Sequence, residues 1–203
     1  MNCSALSGGL NQKPCASSQP FSRSKAPCAR GKESGLANQG WKDSQDSIFH
    51  ADGRFPTGPI AVVEVQGYVY AAFLAMAELA STRREETQAQ GWRTRAQKLR
   101  AAIERQFWCP DLDAYAIALD GAGSPCRIRA SNMGHLLYCG VPGAERGKRV
   151  IAQLLSPRLA SGWGARTLAS AQSRFNPMSY HNGSVWPHDA ATAYPARVQR
   201  PIR

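Results

Sequence analysis

The stretch from Pro59 to Ala80, PIAVVEVQGYVYAAFLAMAELA, limits what the chain can fold into more than any other. It is apolar on most faces and too long for one strand, and its proline suits a first helical position. A buried helix is therefore expected over 59–80. The following segment, EETQAQGWRTRAQKLRAAIERQFW, sets Trp92, Ala96, Leu99, Ile103 and Phe107 at steps of three and four among charges. That spacing predicts an amphipathic helix with one buried face. Only a short polar connection around Ser81 to Glu86 separates the two, so they should pack as an antiparallel hairpin.

Further along, CPDLDAYAIALDGAGSPC is rich in turn formers, and its Ala114 to Leu119 portion reads as a short strand. Ser131 is placed to cap a helix through NMGHLLYCG, and AERGKRVIAQLL offers Val150, Ile151, Leu154 and Leu155 as the apolar stripe of another. Beyond it the chain turns loop-like, with Gly, Asn, Ser, Trp and His crowded into SGWGARTLAS and NPMSYHNGSVWPHD. Loops so decorated usually sit over a ligand. The fold class that follows is all-α, helix hairpins joined alternately by short turns and long loops, as in a toroid or solenoid with the site on one rim. A plain helix bundle is the alternative.

The formal net charge of +11 suggests an acidic partner such as nucleic acid or an anionic membrane until its location is considered. Residues 1–33 carry five Lys/Arg against one Glu, and residues 190–203 carry three Arg and no acid. The basicity thus belongs mainly to the ends, which lack apolar periodicity; 1–33 reads as disordered and 190–203 as a divergent basic tail. Neither has the aromatic interleaving of a nucleic-acid surface, so a nucleic-acid partner is ranked last. The six cysteines form no CxxC pair and no rhythm with histidine, so they read as structural thiols. No apolar run has bilayer length and no signal peptide is evident, which makes no membrane and a cytoplasmic location the default.

Asp43 and Asp46, in NQGWKDSQDS, lie three apart; on a helix they would share a face about 5–6 Å apart. That resembles a two-carboxylate site, but acids near a helix start are also favoured by the dipole alone. Trp41, Trp163 and Trp186 each sit in a Gly-rich polar stretch, whereas Trp92 and Trp108 lie on a helix and look like core. Aromatic faces beside carboxylates and amides are what a sugar ring requires. His135, His181 and His188 have no common metal spacing and make better hydrogen-bonding groups for sugar hydroxyls, so neither a metal nor another cofactor is expected. Glu64 and Gln66 are polar groups in an apolar segment, either satisfied in the core or turned toward the site.

Five blocks, GLANQGWKDSQDSIFHADG, GPIAVVEVQGYVYAA, SNMGHLL, SGWGARTLAS and NPMSYHNGSVWPHD, resemble in order the signature blocks of bacterial amylo-α-1,6-glucosidases, the glycogen-debranching-enzyme-like glycoside hydrolases. These are similar to a wider group of α-toroid glycosidases that includes mannosylglycerate-hydrolase-like domains. The resemblance covers about residues 29–189 and implies an (α/α)6 barrel acting on α-linked oligosaccharide or polysaccharide by inversion. In that scheme a carboxylic acid protonates the leaving oxygen while a second carboxylate activates water on the opposite face. Asp43 matches the acid, with Asp46 as a supporting neighbour. Trp41 would line the −1 subsite, with Tyr180, His181, Asn182, Trp186 and His188 as its other wall and Trp163 and Arg166 from SGWGARTL beside them. Burial or negative charge would have to keep Asp43 protonated; Asp46 helps and Lys42 opposes.

The family's base is a glutamate in a later LPELF-type block, and no such block occurs in these 203 residues. Residues 34–189 are accordingly expected to form part of the toroid, incomplete, with the remainder of the barrel as a missing partner and the two ends frame-shifted. The resulting chain would be an acid half-site, inactive alone. A non-catalytic carbohydrate-binding remnant is the second reading.

Overall fold

The computed structural model describes Phe21 and residues 40–193. Most of the segments expected to be disordered or divergent, 1–33 and 190–203, therefore lie outside the described residues. Phe21 is buried edge-on against Phe107, with ring centroids 5.3 Å apart.

In chain order the elements are β1 (Ala61–Val62), α1 (Val63–Thr82), α2 (Glu86–Gln106), β2 (Trp108–Cys109), β3 (Ala114–Tyr115), β4 (Ala118–Leu119), β5 (Pro125–Cys126), α3 (Asn132–Tyr138), α4 (Ala144–Leu154) and α5 (Pro187–Ala193). The fold is mostly helical, and the all-α expectation is corrected by two small sheets. One has the order β1-β4-β5 and the other pairs β2 with β3, antiparallel throughout.

The expected helix over 59–80 starts later, because Ala61 and Val62 pair with Leu119 and Ala118 and the Val63 N–H donates to Ile117 O. Pro59 precedes that strand, so it takes no part in the helix. The α1 and α2 helices form the hairpin, joined through Arg83–Glu85, with Ala96, Leu99, Ile103 and Phe107 buried as the spacing requires. Trp92 and Trp108 are half-buried, against Phe73 and Tyr115 respectively. The 114–119 strand divides into β3 and β4, since Ala116 N–H bonds Phe107 O while Ile117 N–H bonds Cys126 O, and the chain changes sheets between them. Ser131 precedes α3 without capping it; its backbone is already helical (φ −59°) and its hydroxyl is buried without a hydrogen bond among the described residues. On α4, Val150 and Leu154 are buried while Ile151 and Leu155 are exposed, so half of the expected stripe faces out.

Two apolar cores result. The larger joins α1 to α4 through Val63, Tyr70, Leu99, Ile103, Met133, Leu136, Val150 and Leu154. At Gly67 a Cβ would stand 2.9 Å from Leu136 Cδ2, so this glycine lets α3 approach α1 closely. The smaller core lies under the three-stranded sheet and takes in Ile48, Phe49, Ile60, Val62, Ile117, Ile128 and Leu168. Burying side chains such as Ile48 and Phe49 is worth about 1.5–3 kcal/mol each, which fastens the segment just after NQGWKDSQDS. Cys109, Cys126 and Cys139 are buried free thiols. Among the described residues no helix is long and apolar enough to cross a membrane.

Candidate active site

Residues 41–47 form bends and turns where two acids three apart had suggested a helix. Ser47 Oγ donates to Lys42 O and Ser44 O, the local side-chain bonding by which serine competes with helix formation. Asp43 and Asp46 consequently share no helical face. Asp43 projects outward with its side chain 66% exposed, its Oδ1 3.8 Å from His181 Nε2. Asp46 turns to the neighbouring loop, where Asn182 Nδ2 donates to its Oδ2 at 2.9 Å and to its carbonyl at 3.2 Å.

Trp41 is the centre of the arrangement. Its half-buried indole stacks on His135 (centroids 6.2 Å, planes 24° apart) and meets His181, His188 and Trp186 edge-on at 5.3, 4.8 and 6.3 Å. Tyr180 extends the cluster, 4.5 Å from His181 and 4.8 Å from Trp186, and its carbonyl accepts from Trp186 Nε1. Ser44 Oγ and His181 Nδ1 are hydrogen-bonded. Burial, and then the Lys42 charge, hold the His181 pKa below the usual histidine value, so the neutral ring is favoured. The loop requires glycine at 183, where φ is +146° and a Cβ would lie 2.7 Å from the Phe175 ring.

Beneath Trp41 lies a buried polar layer that mostly escaped the sequence reading. His135 is held at both nitrogens, by the Tyr68 hydroxyl at Nδ1 (2.5 Å) and Asp189 Oδ1 at Nε2 (2.8 Å). Asp189 Oδ2 is buried with no hydrogen bond among the described residues. Glu64 is fully buried and faces the Asn132 amide without a well-formed bond; desolvation pushes its pKa up, opposed by Asn132, His135 and Lys42. Lys42, 2% exposed, donates from Nζ to Thr167 O at 2.7 Å, and burial lowers its pKa to about 8 against the charges of Asp189 and Glu64. Some signal for this layer exists in the sequence. Tyr68 lies four residues after Glu64, Asp189 closes the NGSVWPHD block, and Lys42 sits between Trp41 and Asp43.

The structure thus brings together Trp41, Asp43, Asp46, His135, Tyr180, His181, Asn182, Trp186 and His188, with Glu64 in the layer below. Gln66 is buried and donates to Val62 O, one turn back along its own segment. Trp163 stands 93% exposed at a loop tip, where its N–H reaches Ser161 Oγ. Arg166 is half-buried, and its backbone bridges to Val185 beside the 180–186 loop. Among the described residues no group of His, Cys, Asp and Glu is arranged to hold a metal. An indole ringed by imidazoles and carboxylates offers a sugar both a stacking face and hydrogen-bonding groups.

A family model described as the mannosylglycerate hydrolase MGH1-like glycoside hydrolase domain matches residues 12–195. Among solved structures, a sialidase aligns with TM-score 0.63 at 15% identity over 73% of this chain and 14% of its own. Neutral trehalase Nth1 from Saccharomyces cerevisiae aligns with TM-score 0.59 at 12% identity over 75% of this chain and 30% of its own. The GH63 mannosylglycerate hydrolase from Thermus thermophilus, in complex with glucose, aligns with TM-score 0.55 at 20% identity over 68% of this chain and 33% of its own. At these identities the likeness is one of fold, that of (α/α)6 glycoside hydrolases over part of their length, and the chain spans a third or less of each. No curated protein matches.

Proposed function

The chain belongs to the MGH1-like glycoside hydrolase family, and we propose that it supplies the acid half of an inverting glycosidase site for α-glucosidic linkages, of the amylo-α-1,6-glucosidase type used in glycogen debranching. The observation that carries this reading is the position of Asp43 on the rim of the aromatic and imidazole ring around Trp41, within 3.8 Å of a histidine whose neutral form is favoured. In the proposed reaction a sugar stacks on Trp41 and its hydroxyls bond His181, His188, Asn182 and Asp46. Asp43 then donates its proton to the leaving oxygen. The second carboxylate, which activates water, we assign to a glutamate of a later LPELF-type block in the rest of the toroid. Arg166 and Trp163 serve outer sugar units, and the protein works in the cytoplasm without cofactor, nucleic acid or membrane.

The test is hydrolysis of panose, which carries the α-1,6 linkage proposed, by this chain supplied with an LPELF-bearing segment of the family, followed by proton NMR of the anomer first released. Inverted β-product, reduced roughly 100-fold or more by Asp43→Asn, supports the reading. Panose binding with no turnover in that combination would replace it with the non-catalytic carbohydrate-binding reading.

A further inference from the structure

We propose that Lys42 is a positioning residue, a buried ammonium that ties the Trp41–Asp43 segment to Thr167 and, through Thr167, to the His181–Ser184 loop. What is positioned rests on the glycosidase reading; the tie itself does not.

Lysine is almost never buried without charged or polar partners, and an apolar chain of similar volume would fill the space without the desolvation cost. What methionine could not supply is the donor that reaches Thr167 O at 2.7 Å, 125 residues along the chain. Thr167 is itself fastened to the opposite wall, since its N–H donates to Ser184 O at 2.9 Å and its Oγ1 accepts from Gly183 N–H at 2.9 Å. That wall in turn grips the first segment through Asn182 and Asp46. Lys42 is therefore the inner fixing and Asn182–Asp46 the outer one of a closed loop of contacts. Trp41 and Asp43, the residues on either side of Lys42, take their places from it.

The groups facing this ammonium come from every surrounding element. Asp189 on α5, Glu64 on α1 and His181 on the loop interact with it directly, while His135 on α3 is coupled to Glu64 and Asp189, and Asp43 and Asp46 on its own segment to His181. The Trp41 ring lies 5.4 Å from Nζ. When the ammonium discharges, the neutral amine still donates to Thr167 O, but its attraction to Asp189 and Glu64 disappears and the inner fixing weakens. Both walls should then move together.

The experiment is fluorine NMR of the full chain carrying 5-fluorotryptophan, titrated from pH 7 to 9.5, with signals assigned through Trp41→Phe and Trp186→Phe. In the native chain the Trp41 and Trp186 signals are expected to shift together with a midpoint near pH 8, while Trp92 and Trp108 stay in place. Lys42→Arg, permanently charged, should hold both signals at their low-pH positions throughout. Lys42→Met, which lacks the donor as well as the charge, should abolish the step and move both signals away from their native low-pH positions. A step that survives in Lys42→Met, or Lys42→Met signals that superpose on the native low-pH spectrum, would overturn the proposal. If Lys42→Met does not fold, the native titration and Lys42→Arg decide: no shared step near pH 8, or one that persists with arginine, is equally contradictory. None of these readouts needs turnover, so a failed hydrolysis assay would count against the glycosidase reading alone.

Discussion

Asp189 Oδ1 lies 2.8 Å from His135 Nε2, with both side chains almost wholly out of water and the Trp41 indole stacked on the imidazole. The contact joins α5 to α3 across 54 residues and supports the floor of the site. Removing one partner strands the other in a low-dielectric interior. His135→Ala should therefore lower unfolding stability by about 3 kcal/mol or more, read by urea denaturation, and change the Trp41 environment. Asp189→Asn, which keeps an acceptor oxygen toward His135, should cost less. Equal losses would mean the pair matters only as packing.

Gly183 and Gly91 should respond oppositely to alanine. At Gly183 a Cβ meets the Phe175 ring at 2.7 Å and Asn176 O at 2.9 Å on a backbone of φ +146°, so Gly183→Ala should cost on the order of 1–3 kcal/mol. At Gly91, inside α2, a Cβ meets nothing within 4 Å, and Gly91→Ala should stabilise by about 0.5–1 kcal/mol. Thermal midpoints of the two variants check both signs.

Glu64 gives the stability a pH signature. Burial raises its folded pKa above the ordinary 4.5, so the folded chain binds the proton more tightly than the unfolded one. The stability this contributes is complete below pH 4.5 and is lost as pH rises through the folded value. Glu64→Gln cannot titrate, so the stability of native chain minus variant should fall as pH rises from 4.5 toward 8. A difference that rises over that range would contradict the assignment.

On α1 the apolar side chains of Tyr68, Leu74, Met76 and Leu79 are left uncovered, and on α4 those of Ile151 and Leu155. Exposed apolar side chains in this number favour association. The purified chain should self-associate by size-exclusion chromatography, and Met76→Lys with Leu79→Lys should raise the monomer fraction with little change in melting temperature.

Helices α2 and α4 were legible because their apolar residues recur at helical steps, α1 because its apolar run is too long for a strand, and the pairing of α1 with α2 because the connection between them is too short for anything but neighbours. Of the strands only 114–119 was legible, as one strand where there are two, since two-residue pairings leave little period to read, and β1 in particular took over what looked like the start of α1. Exposure of Ile151 and Leu155 was equally hidden, because a stripe does not reveal which of its edges has a neighbour. The aromatic and histidine ring around Trp41 could be anticipated from residue types in Gly-rich blocks. Of its lower layer only His135 and Glu64 could, because a charged residue such as Lys42 or Asp189 in a polar block looks solvated until long-range contacts bury it. The same limit made Asp43 and Asp46 look like a helical pair, when local serine bonds turn them toward different neighbours.

The central claim, that the ring around Trp41 receives a sugar, is tested most directly by titrating maltotriose into the 5-fluorotryptophan-labelled chain and following each fluorine signal. Binding in the site should shift Trp41 and Trp186 with saturation, leave Trp92 and Trp108 unmoved, and disappear in Trp41→Ala. Absence of any shift at Trp41, or saturable shifts confined to Trp92 and Trp108, would contradict it.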